Sequence, residues 1–332
     1  MSIGIGVIGA GVMGGDHART IATAVGGAHL AAIADADQAR AAAVASACGG
    51  VAVHGDGATL IADPAVDAVL VASPDATHAE LVLACLAAGK PVLCEKPLAA
   101  TAAEAEAILQ AETQGGRRRV QVGFMRRFDP AYAAMRARFA AGEIGAAVLL
   151  HCLHHNASAP PWFDSAMVIS NAAVHEIDVA RWLLGQEVTS VSVFAPGDGG
   201  AAMRDRLLLV LRMSGGAVVD VGVFVNAGYG YDVRAELVGE RGTLTRAPAD
   251  PVVLRAGGRQ GGDFAPDWRA HFAAAYQLQL QAWVRAIRTG EQTGASAWDG
   301  YAANLVAAAG IRALHANRPE PVTLPPRPAL YR

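Results

Sequence analysis

The sequence predicts an α/β protein: an N-terminal doubly wound parallel sheet is followed by an α+β domain with a large, mostly antiparallel open sheet. Three observations predict this class. Short apolar segments alternate with alanine-rich segments through residues 1–122. A glycine-rich turn directly follows the first apolar segment, and β-type segments follow one another without helices after residue 187.

The first half alternates strands with helices. The predicted strands are "IGIGVIGAG", "HLAAIAD", "VAVHGD", "DAVLVASP", "PVLCEKP" and "RVQVGF". The predicted helices are "VMGGDHARTIATAV", "DQARAAAVASA", "HAELVLACLAAG" and "TAAEAEAILQAETQ". Because strand–helix–strand units form right-handed crossovers, we expect the strands to be parallel.

The second half has a different pattern. One helix, "DPAYAAMRARFAAG", precedes the strand "AAVLLHCLHH", a proline-containing loop and a helix within "ISNAAVHEID". The strands "VTSVSVFA", "DRLLLVLRMS", "AVVDVGVFVN", "YDVRAELVGE" and "GTLTRA" follow, and two alanine-rich helices end the chain. Short turns between strands favour antiparallel pairing. We therefore predict a nucleotide-binding domain at 1–122 and a substrate-binding and oligomerisation domain at 123–332.

Composition restricts the possible partners. The chain has 332 residues, of which 53% are hydrophobic and 17% are charged, and its formal net charge is −3. This balance gives no general attraction to nucleic acid or to anionic membranes. Four cysteines without a C-x-x-C motif indicate reduced thiols, and no apolar run approaches the ~18 residues that span a bilayer. The N-terminus lacks the pattern of a signal peptide, so we expect a cytoplasmic protein.

The first turn has the pattern Gly9-x-Gly11-x-x-Gly14 between a strand and a helix. Gly9 permits the tight turn, Gly11 allows a pyrophosphate to approach the backbone, and Gly14 allows close packing of helix and strand. Asp35 ends the second strand at the spacing of ~20 residues that this fingerprint requires. A carboxylate there accepts hydrogen bonds from both ribose hydroxyls, and no arginine follows it immediately. The sequence therefore predicts a Rossmann domain that binds NAD rather than NADP.

Two further segments end at the carboxyl edge of the predicted sheet, where open α/β folds bind ligands. One is the strand that stops at Ser73-Pro74, and the other places Lys96 before Pro97. A lysine at this edge can orient a substrate hydroxyl. The alternative is a surface lysine in a turn.

Asn171 and His175 lie four residues apart, so in a helix they share one face. Histidine is suited to proton transfer near neutral pH. Asparagine carries no charge and cannot accept a proton. Asn171 can orient a substrate, or it can cap the helix, because asparagine is a preferred N-cap residue.

Five motifs occur in order: "GAGVMGGDH", "SPDATH", "EKP", "GFMRRFD" and "HEID". Together they resemble the glucose–fructose oxidoreductase/inositol dehydrogenase/rhizopine-catabolism family, Gfo/Idh/MocA, over essentially the whole chain. "GFMRRFDPAY", "HCLHHN" and "GYGYDVRAELVGERGTL" are most similar to its inositol 2-dehydrogenase branch.

The resemblance implies a role for each motif residue. Lys96 belongs to the active site, Pro97 is often cis, and His175 is the acid/base. Asn171 stands where the family has an aspartate, as a natural variant or an introduced substitution, and this change can reduce activity. The implied substrate contacts are Arg127, His154, Asn156 and Tyr231. The implied cofactor contacts are Gly9, Gly11, Val12, Met13, Gly14, Asp35, Ser73, Pro74, His78, Glu95 and Lys96.

The histidine-rich strand "HCLHH" raises the alternative of a metal site. Side chains alternate along a strand, so His154 points away from His151 and His155. No further ligand with zinc-like spacing follows. We therefore expect no metal.

The expected activity is NAD-dependent oxidation of a secondary alcohol of a cyclic polyol, such as myo- or scyllo-inositol, to the ketone. One alternative is a dehydrogenase of another pyranose or an anhydrosugar such as levoglucosan. A second is a non-catalytic NAD-binding regulatory protein. The resemblance also implies a homo-oligomer, a dimer or a tetramer, that assembles through the C-terminal sheet.

Overall fold

The computed structural model describes residues 2–197, 203–246 and 254–332. Contacts divide the chain into two compact units. The first comprises Met1–Phe128, Ala274–Asn304 and Leu324–Arg332, and the second comprises Asp129–Ala273 and Leu305–Thr323. The predicted boundary after residue 122 does not anticipate the two C-terminal returns to the first unit. They arise because each of the last two helices contributes residues to both units.

The predicted strands and helices occur in the predicted order, and the structure adds a short helix at Gly57–Ala62 and four short strands after residue 253 that the sequence did not predict. The strands are Ile3–Ile8 (β1), Ala28–Ala34 (β2), Ala52–His54 (β3), Ala68–Val71 (β4), Val92–Cys94 (β5), Val120–Val122 (β6), Ala147–His155 (β7), Val188–Phe194 (β8), Arg206–Met213 (β9), Val218–Phe224 (β10), Asp232–Gly239 (β11), Gly242–Arg246 (β12), Leu254–Ala256 (β13), Arg259–Gly261 (β14), Ala295–Ser296 (β15) and Glu320–Pro321 (β16). The α-helices are Val12–Ala24 (α1), Gln38–Ala47 (α2), Gly57–Ala62 (α3), His78–Ala87 (α4), Ala102–Gln114 (α5), Pro130–Ala140 (α6), Val174–Leu184 (α7), Trp268–Thr289 (α8) and Ala297–Ala316 (α9).

The sheet of the first unit has the strand order β15-β6-β5-β4-β1-β2-β3. Strands β1 to β6 pair in parallel with their neighbours, and the short strand β15 pairs antiparallel with β6. Every residue of β1 is buried, as expected for a parallel strand covered on both faces. The core includes Ile5, Ile33, Leu70 and Leu93 from the strands and Trp283 from α8. This is the predicted doubly wound arrangement.

The C-terminal segment is anchored within the first unit by Tyr331. Its hydroxyl donates to the buried carboxylate of Glu112 on α5, and the guanidinium of Arg118 lies 5.1 Å from the Tyr331 ring centroid. The second oxygen of Glu112 accepts from the backbone N–H of Val120 at 2.6 Å. Burial raises the pKa of the Glu112 carboxyl group and outweighs these hydrogen bonds. One buried carboxylate thus links helix, sheet and chain end.

The sheet of the second unit has the order β12-β11-β7-β10-β9-β8-β16. Neighbouring strands pair antiparallel except β10 and β7, which are parallel. In β9, buried and more exposed residues alternate, so one face of the sheet packs on the core. The predicted fold class is therefore confirmed for both units.

The helix within "ISNAAVHEID" does not begin as predicted. Val168–Ala173 forms a π-helical turn, and α7 continues from it at Val174 with Ala173 as its N-cap. Met167 is the N-cap of the π-helical turn and is itself helical, so Asn171 lies inside a helix and caps neither segment. The alternative that Asn171 serves as an N-cap is therefore wrong, because Asn171 lies inside the π-helical turn and Met167 and Ala173 occupy the two N-cap positions. π-helical turns inside helices are frequent at functional sites.

All four cysteines, Cys48, Cys85, Cys94 and Cys152, are free thiols. No helix in the part of the chain that the structure describes is long and apolar enough to cross a membrane.

Candidate active site

The glycine turn after β1 has the geometry of a pyrophosphate cradle. Gly9 has φ +97°, and a Cβ on it would lie 2.5 Å from the carbonyl oxygen of Ala72. A Cβ on Gly14 would lie 1.8 Å from the Gly9 oxygen, whereas a Cβ on Gly11 would meet nothing within 4 Å. Gly11 is the N-cap of α1, and no side chain caps that helix. The turn thus leaves open space at a helix N-terminus, which suits an anionic phosphate group.

Asp35 lies at the end of β2 and is nearly buried. Its carboxylate accepts the N–H of Ala10 at 2.6 Å and that of Asp37 at 2.8 Å. Arg40 donates to both carboxylate oxygens, at 2.7 Å from Nη2 and 3.3 Å from Nε. Burial raises the pKa of the Asp35 carboxyl group, but these hydrogen bonds outweigh it and hold the pKa below its ordinary value. The carboxylate is therefore charged, as a ribose contact requires.

Sequence reasoning missed Arg40, because it considered only the residues immediately after Asp35. Asp37 is the N-cap of α2, and its side chain accepts the N–H of Arg40. Arg40 therefore lies in the first turn of α2, and its guanidinium reaches back to Asp35. The capping pattern from Asp37 to Arg40 is the signal that could have located it.

The "EKP" segment is anchored by Glu95. Its Oε1 accepts from His17 Nε2 at 2.8 Å, and its Oε2 accepts the N–H of Lys96 at 3.1 Å. Both His17 and Glu95 are buried, and the His17 ring makes an edge contact with Tyr276. A Cβ on Gly123 would lie 2.8 Å from Glu95 Oε2, so a glycine there leaves room for the carboxylate. The backbone of Lys96 is thereby tied to α1, the helix that follows the glycine turn.

His78 joins the other two predicted cofactor segments. Its Nδ1 contacts the carbonyl oxygen of Pro97 at 2.7 Å, and its Nε2 contacts that of Ser73 at 3.0 Å. The Lys96–Pro97 peptide bond is cis, as the family resemblance implied. The hydroxyls of Ser73 and Thr77 lie 2.6 Å apart. Buried His78 thus links the end of β4 to the turn after β5.

Arg127 was predicted to contact substrate. In the first unit its guanidinium pairs with the carboxylate of Asp299, with Nη2 3.1 Å from Oδ1. Asp299 also accepts the N–H of Ser296 at 2.8 Å at the start of α9. The Arg127 side chain is only 9% exposed. An ion pair thus orients Arg127, and its contact with substrate remains a prediction.

The second unit brings four of the predicted residues together. His154 lies at the centre of this polar cluster. The His154 ring centroid lies 6.1 Å from that of His175 and 5.7 Å from that of Tyr231. Its Nε2 lies 3.1 Å from Asn156 Oδ1. His154, His175 and Tyr231 are all buried. Sequence reasoning also missed one member, Glu176, whose carboxylate accepts from His154 Nδ1 at 3.0 Å.

The alternation predicted along β7 is confirmed. His154 is buried, whereas His151 is half exposed on the opposite face and its Nδ1 contacts the carboxylate of Asp220. Within the described residues, no three histidine, cysteine, aspartate or glutamate side chains lie in an arrangement that could hold a metal ion.

Two aromatic residues at the start of α8 contact Tyr231. Its ring makes edge contacts with those of His271 and Phe272, with centroids 5.4 and 6.1 Å away. Arg246 Nη2 lies 2.8 Å from His271 Nε2. The sequence offered no signal for His271, because a single histidine in a helix is not distinctive.

Comparison with known proteins places the chain in a family. The model described as "Oxidoreductase family, NAD-binding Rossmann fold" matches residues 3–124, and the GFO/IDH/MocA C-terminal domain matches residues 132–245.

The chain belongs to the Gfo/Idh/MocA oxidoreductase family.

Several relatives in this family are named for one substrate. "Inositol 2-dehydrogenase 1" of Saccharopolyspora erythraea is 53% identical and covers 100% of this chain and 99% of its own length. "Inositol 2-dehydrogenase" of Streptomyces avermitilis is 45% identical, covering 99% of this chain and 97% of its own length.

Solved structures of the family are also similar. Myo-inositol dehydrogenase from Lactobacillus casei, in complex with NAD(H) and myo-inositol, has a TM-score of 0.95 at 32% identity and covers 100% of both chains. Scyllo-inositol dehydrogenase from the same organism, with bound NAD(H) and scyllo-inositol, has a TM-score of 0.89 at 25% identity and covers 97% of this chain and 99% of its own. The first unit is thus an NAD-binding Rossmann domain, and its glycine turn and Asp35 fit that cofactor.

Proposed function

We propose that this protein oxidises a secondary alcohol of an inositol, or of a closely similar cyclic polyol, to the ketone, with NAD as the hydride acceptor. The observation that carries the proposal is the buried polar cluster of the second unit, in which His154, Asn156, His175 and Tyr231 come together. The names of relatives that match over the whole chain support the same substrate class.

His175 is the proposed acid/base. It takes the proton of the reacting hydroxyl as the hydride leaves the carbon that bears this hydroxyl. An imidazole is suited to this role near neutral pH. Lys96 assists by orienting the reacting hydroxyl and stabilising the negative charge that develops on its oxygen. The family's aspartate is replaced by Asn171, which can orient a hydroxyl but cannot share a proton. NAD supplies the acceptor for the hydride.

The proposed substrate contacts explain why a polyol suits the second unit. Imidazole, amide and phenol groups together offer both donors and acceptors. A ring with a hydroxyl on every carbon can satisfy them, whereas the wrong epimer leaves one or more unpaired. Unpaired buried polar groups are costly, so such a cluster can discriminate between epimers. Arg127 is a further proposed contact, oriented by Asp299.

We infer that the domain functions follow the predicted division. Residues 1–122 bind NAD, and residues 123–332 bind substrate and mediate oligomerisation. The outer face of the second unit's sheet exposes the apolar side chains of Phe194 and Leu208, which pair on neighbouring strands. Apolar side chains on one sheet face suit burial against a second copy of the chain, in a dimer or tetramer.

The proposal is tested by measuring NADH formation with a panel of polyols. The panel contains myo-inositol, scyllo-inositol, glucose and levoglucosan, each with NAD and with NADP. The highest kcat/KM is expected with an inositol and NAD. A higher kcat/KM with glucose or levoglucosan would show that the proposed substrate class is wrong, while the assignment as a dehydrogenase would stand. NAD binding without turnover on any member would instead favour a regulatory NAD-binding protein, a possibility that the replacement by Asn171 leaves open.

A further inference from the structure

The buried carboxylate beside His175 has no role in the reaction described so far. Glu176 follows His175 on α7, and it is only 1% exposed. A buried carboxylate needs a strong hydrogen-bond partner, because removing the charge from water is costly. One such partner is His154 Nδ1, 3.0 Å from Glu176 Oε2. The two side chains are 4% and 1% exposed, so water competes little for this bond.

The contact sets the tautomer of His154. An ionised carboxylate only accepts hydrogen bonds, so the proton between the two groups must lie on His154 Nδ1. The ring is thereby held from one side, in the way that carboxylates orient histidines in other enzyme sites. In this tautomer Nε2, on the opposite side of the ring, is an acceptor, and it lies 3.1 Å from Asn156 Oδ1, which is also an acceptor. The tautomer therefore requires the Asn156 amide to turn its NH2 group, rather than its oxygen, towards this side.

The surroundings of the ring show where Nε2 can act. His175 and Tyr231 are its aromatic neighbours, with ring centroids at 6.1 and 5.7 Å. These are the residues to which the proposed function assigns proton transfer and substrate contact. His154 Nε2 and the Asn156 amide thus form a polar pair within the proposed substrate cluster. Such a pair matches one hydroxyl of a polyol, which can donate to His154 Nε2 and accept from the Asn156 NH2 group.

We propose that Glu176 is a positioning residue for substrate recognition: its carboxylate fixes His154 as the Nδ1–H tautomer and thereby directs Nε2, together with Asn156, at a non-reacting hydroxyl of the polyol. The inference rests on the proposed function for the identity of the ligand. The role of Glu176 itself rests on the contacts within the second unit alone.

Two variants distinguish the contribution of the hydrogen-bond acceptor at position 176 from that of its negative charge. Glu176→Gln keeps an acceptor of the same shape and removes the charge, whereas Glu176→Met removes both. We expect Glu176→Met to raise KM for the inositol about tenfold to a hundredfold, the range for losing a hydrogen bond to a charged group. Glu176→Gln should raise it less. In both variants kcat should change less than KM, because a contact made equally in ground and transition states affects binding. The affinity for NAD should not change.

A spectroscopic readout tests the tautomer without turnover. The full-length protein is labelled with ¹⁵N in its histidine rings, and the His154→Gln variant identifies the His154 signals among those of the 10 histidines. The wild type is expected to show a protonated Nδ1 at neutral pH. Glu176→Met should convert it to a mixture of tautomers. A wild-type Nδ1 without a proton would overturn the proposal, whether or not the variants fold.

Glu112→Gln is the matched control. It removes an equally buried carboxylate that belongs to the first unit and is not a member of the polar cluster. It should lower stability and leave both KM and the His154 signals unchanged. An unchanged KM in folded Glu176→Met, with an active wild type, would refute the role of Glu176 and leave the proposed function intact. A wild type that is inactive on every inositol but shows the expected tautomer would refute the proposed function instead.

Discussion

His17 Nε2 lies 2.8 Å from Glu95 Oε1, and both residues are buried. This contact connects α1, which begins at the glycine turn, with the strand end that carries Lys96. The other oxygen of Glu95 accepts the N–H of Lys96. The His17–Glu95 pair thus ties the backbone of the proposed lysine to the helix that begins at the glycine turn.

Replacing Gly123 by alanine should disturb this anchor. A Cβ there would lie 2.8 Å from Glu95 Oε2 and 3.0 Å from the Glu95 Cα, and the backbone atom cannot move aside as a flexible side chain would. We expect a loss of about 1–3 kcal/mol in the free energy of unfolding, as for other overpacked sites, and a lower kcat. Denaturant unfolding and NADH formation measure the two effects. Gly261→Ala is the control, because its Cβ meets nothing within 4 Å; equal stability of the two variants would contradict the account.

Arg40→Ala should alter the preference between cofactors. Arg40 holds both oxygens of Asp35 in a half-exposed ion pair, so a ribose must displace it, while its charge favours the 2′-phosphate of NADP. We expect NAD to bind as well or more tightly to the variant, and NADP about tenfold more weakly. Fluorescence titration measures both affinities. Arg19→Ala, which removes a similarly exposed arginine paired with Asp16, should change neither. Weaker NAD binding to Arg40→Ala would show that Arg40 supports the ribose.

Sequence reasoning predicted the fold well because the chain's local signals agree with its tertiary structure. Buried parallel strands read as continuous apolar runs, as in β1, and strands with one covered face alternate, as in β9. The return of the C-terminal segment to the first unit was not predictable. It depends on the long-range contact of Tyr331 with Glu112, which no local pattern encodes.

Asn171→Asp should raise kcat if the remaining active-site residues function as in the family. A carboxylate one turn before His175 would stabilise the imidazolium that forms during oxidation. We expect an increase of about tenfold, the effect of one favourable charged interaction in the transition state. Steady-state rates with the preferred polyol measure it, and Asn317→Asp, at an exposed position, is the control. A lower rate would indicate that Asn171 is adapted to this protein's own substrate.

His155 should make stability depend on pH. Burial lowers the pKa of His155 below its ordinary 6.5. The charge of Asp232 raises this pKa by a smaller amount, and His154 and Arg234 lower it further. The unfolded chain therefore binds the proton more readily. The stabilising effect of a neutral His155 is present above pH 6.5 and is lost as the pH falls through that value towards the lower folded pKa. Denaturant unfolding across this range should show a steeper loss for the wild type than for His155→Gln, and parallel curves would contradict it.

The candidate site was predictable only in part. The spacing of the glycines and Asp35 indicated a dinucleotide site, the roles of His154 and His175 were implied by the family resemblance, and the alternation along β7 correctly placed His154 on the face opposite to His151. The role of Asn171 was open, because a π-helical turn cannot be read from residue propensities. Glu176 and Arg40 were missed for different reasons. Glu176 contacts a histidine that is distant in sequence, so no local pattern indicates the pair, whereas the capping pattern from Asp37 could have located Arg40 near Asp35.

The proton-transfer role of His175 is the central claim, and the His175→Ala variant tests it most directly. Turnover of the preferred inositol and the dissociation constant for NAD are measured on the same preparation. We expect kcat to fall by about 10²–10⁴-fold, the usual contribution of a general acid/base, while the dissociation constant for NAD stays at the wild-type value. Turnover that survives the substitution at the wild-type rate would contradict the account.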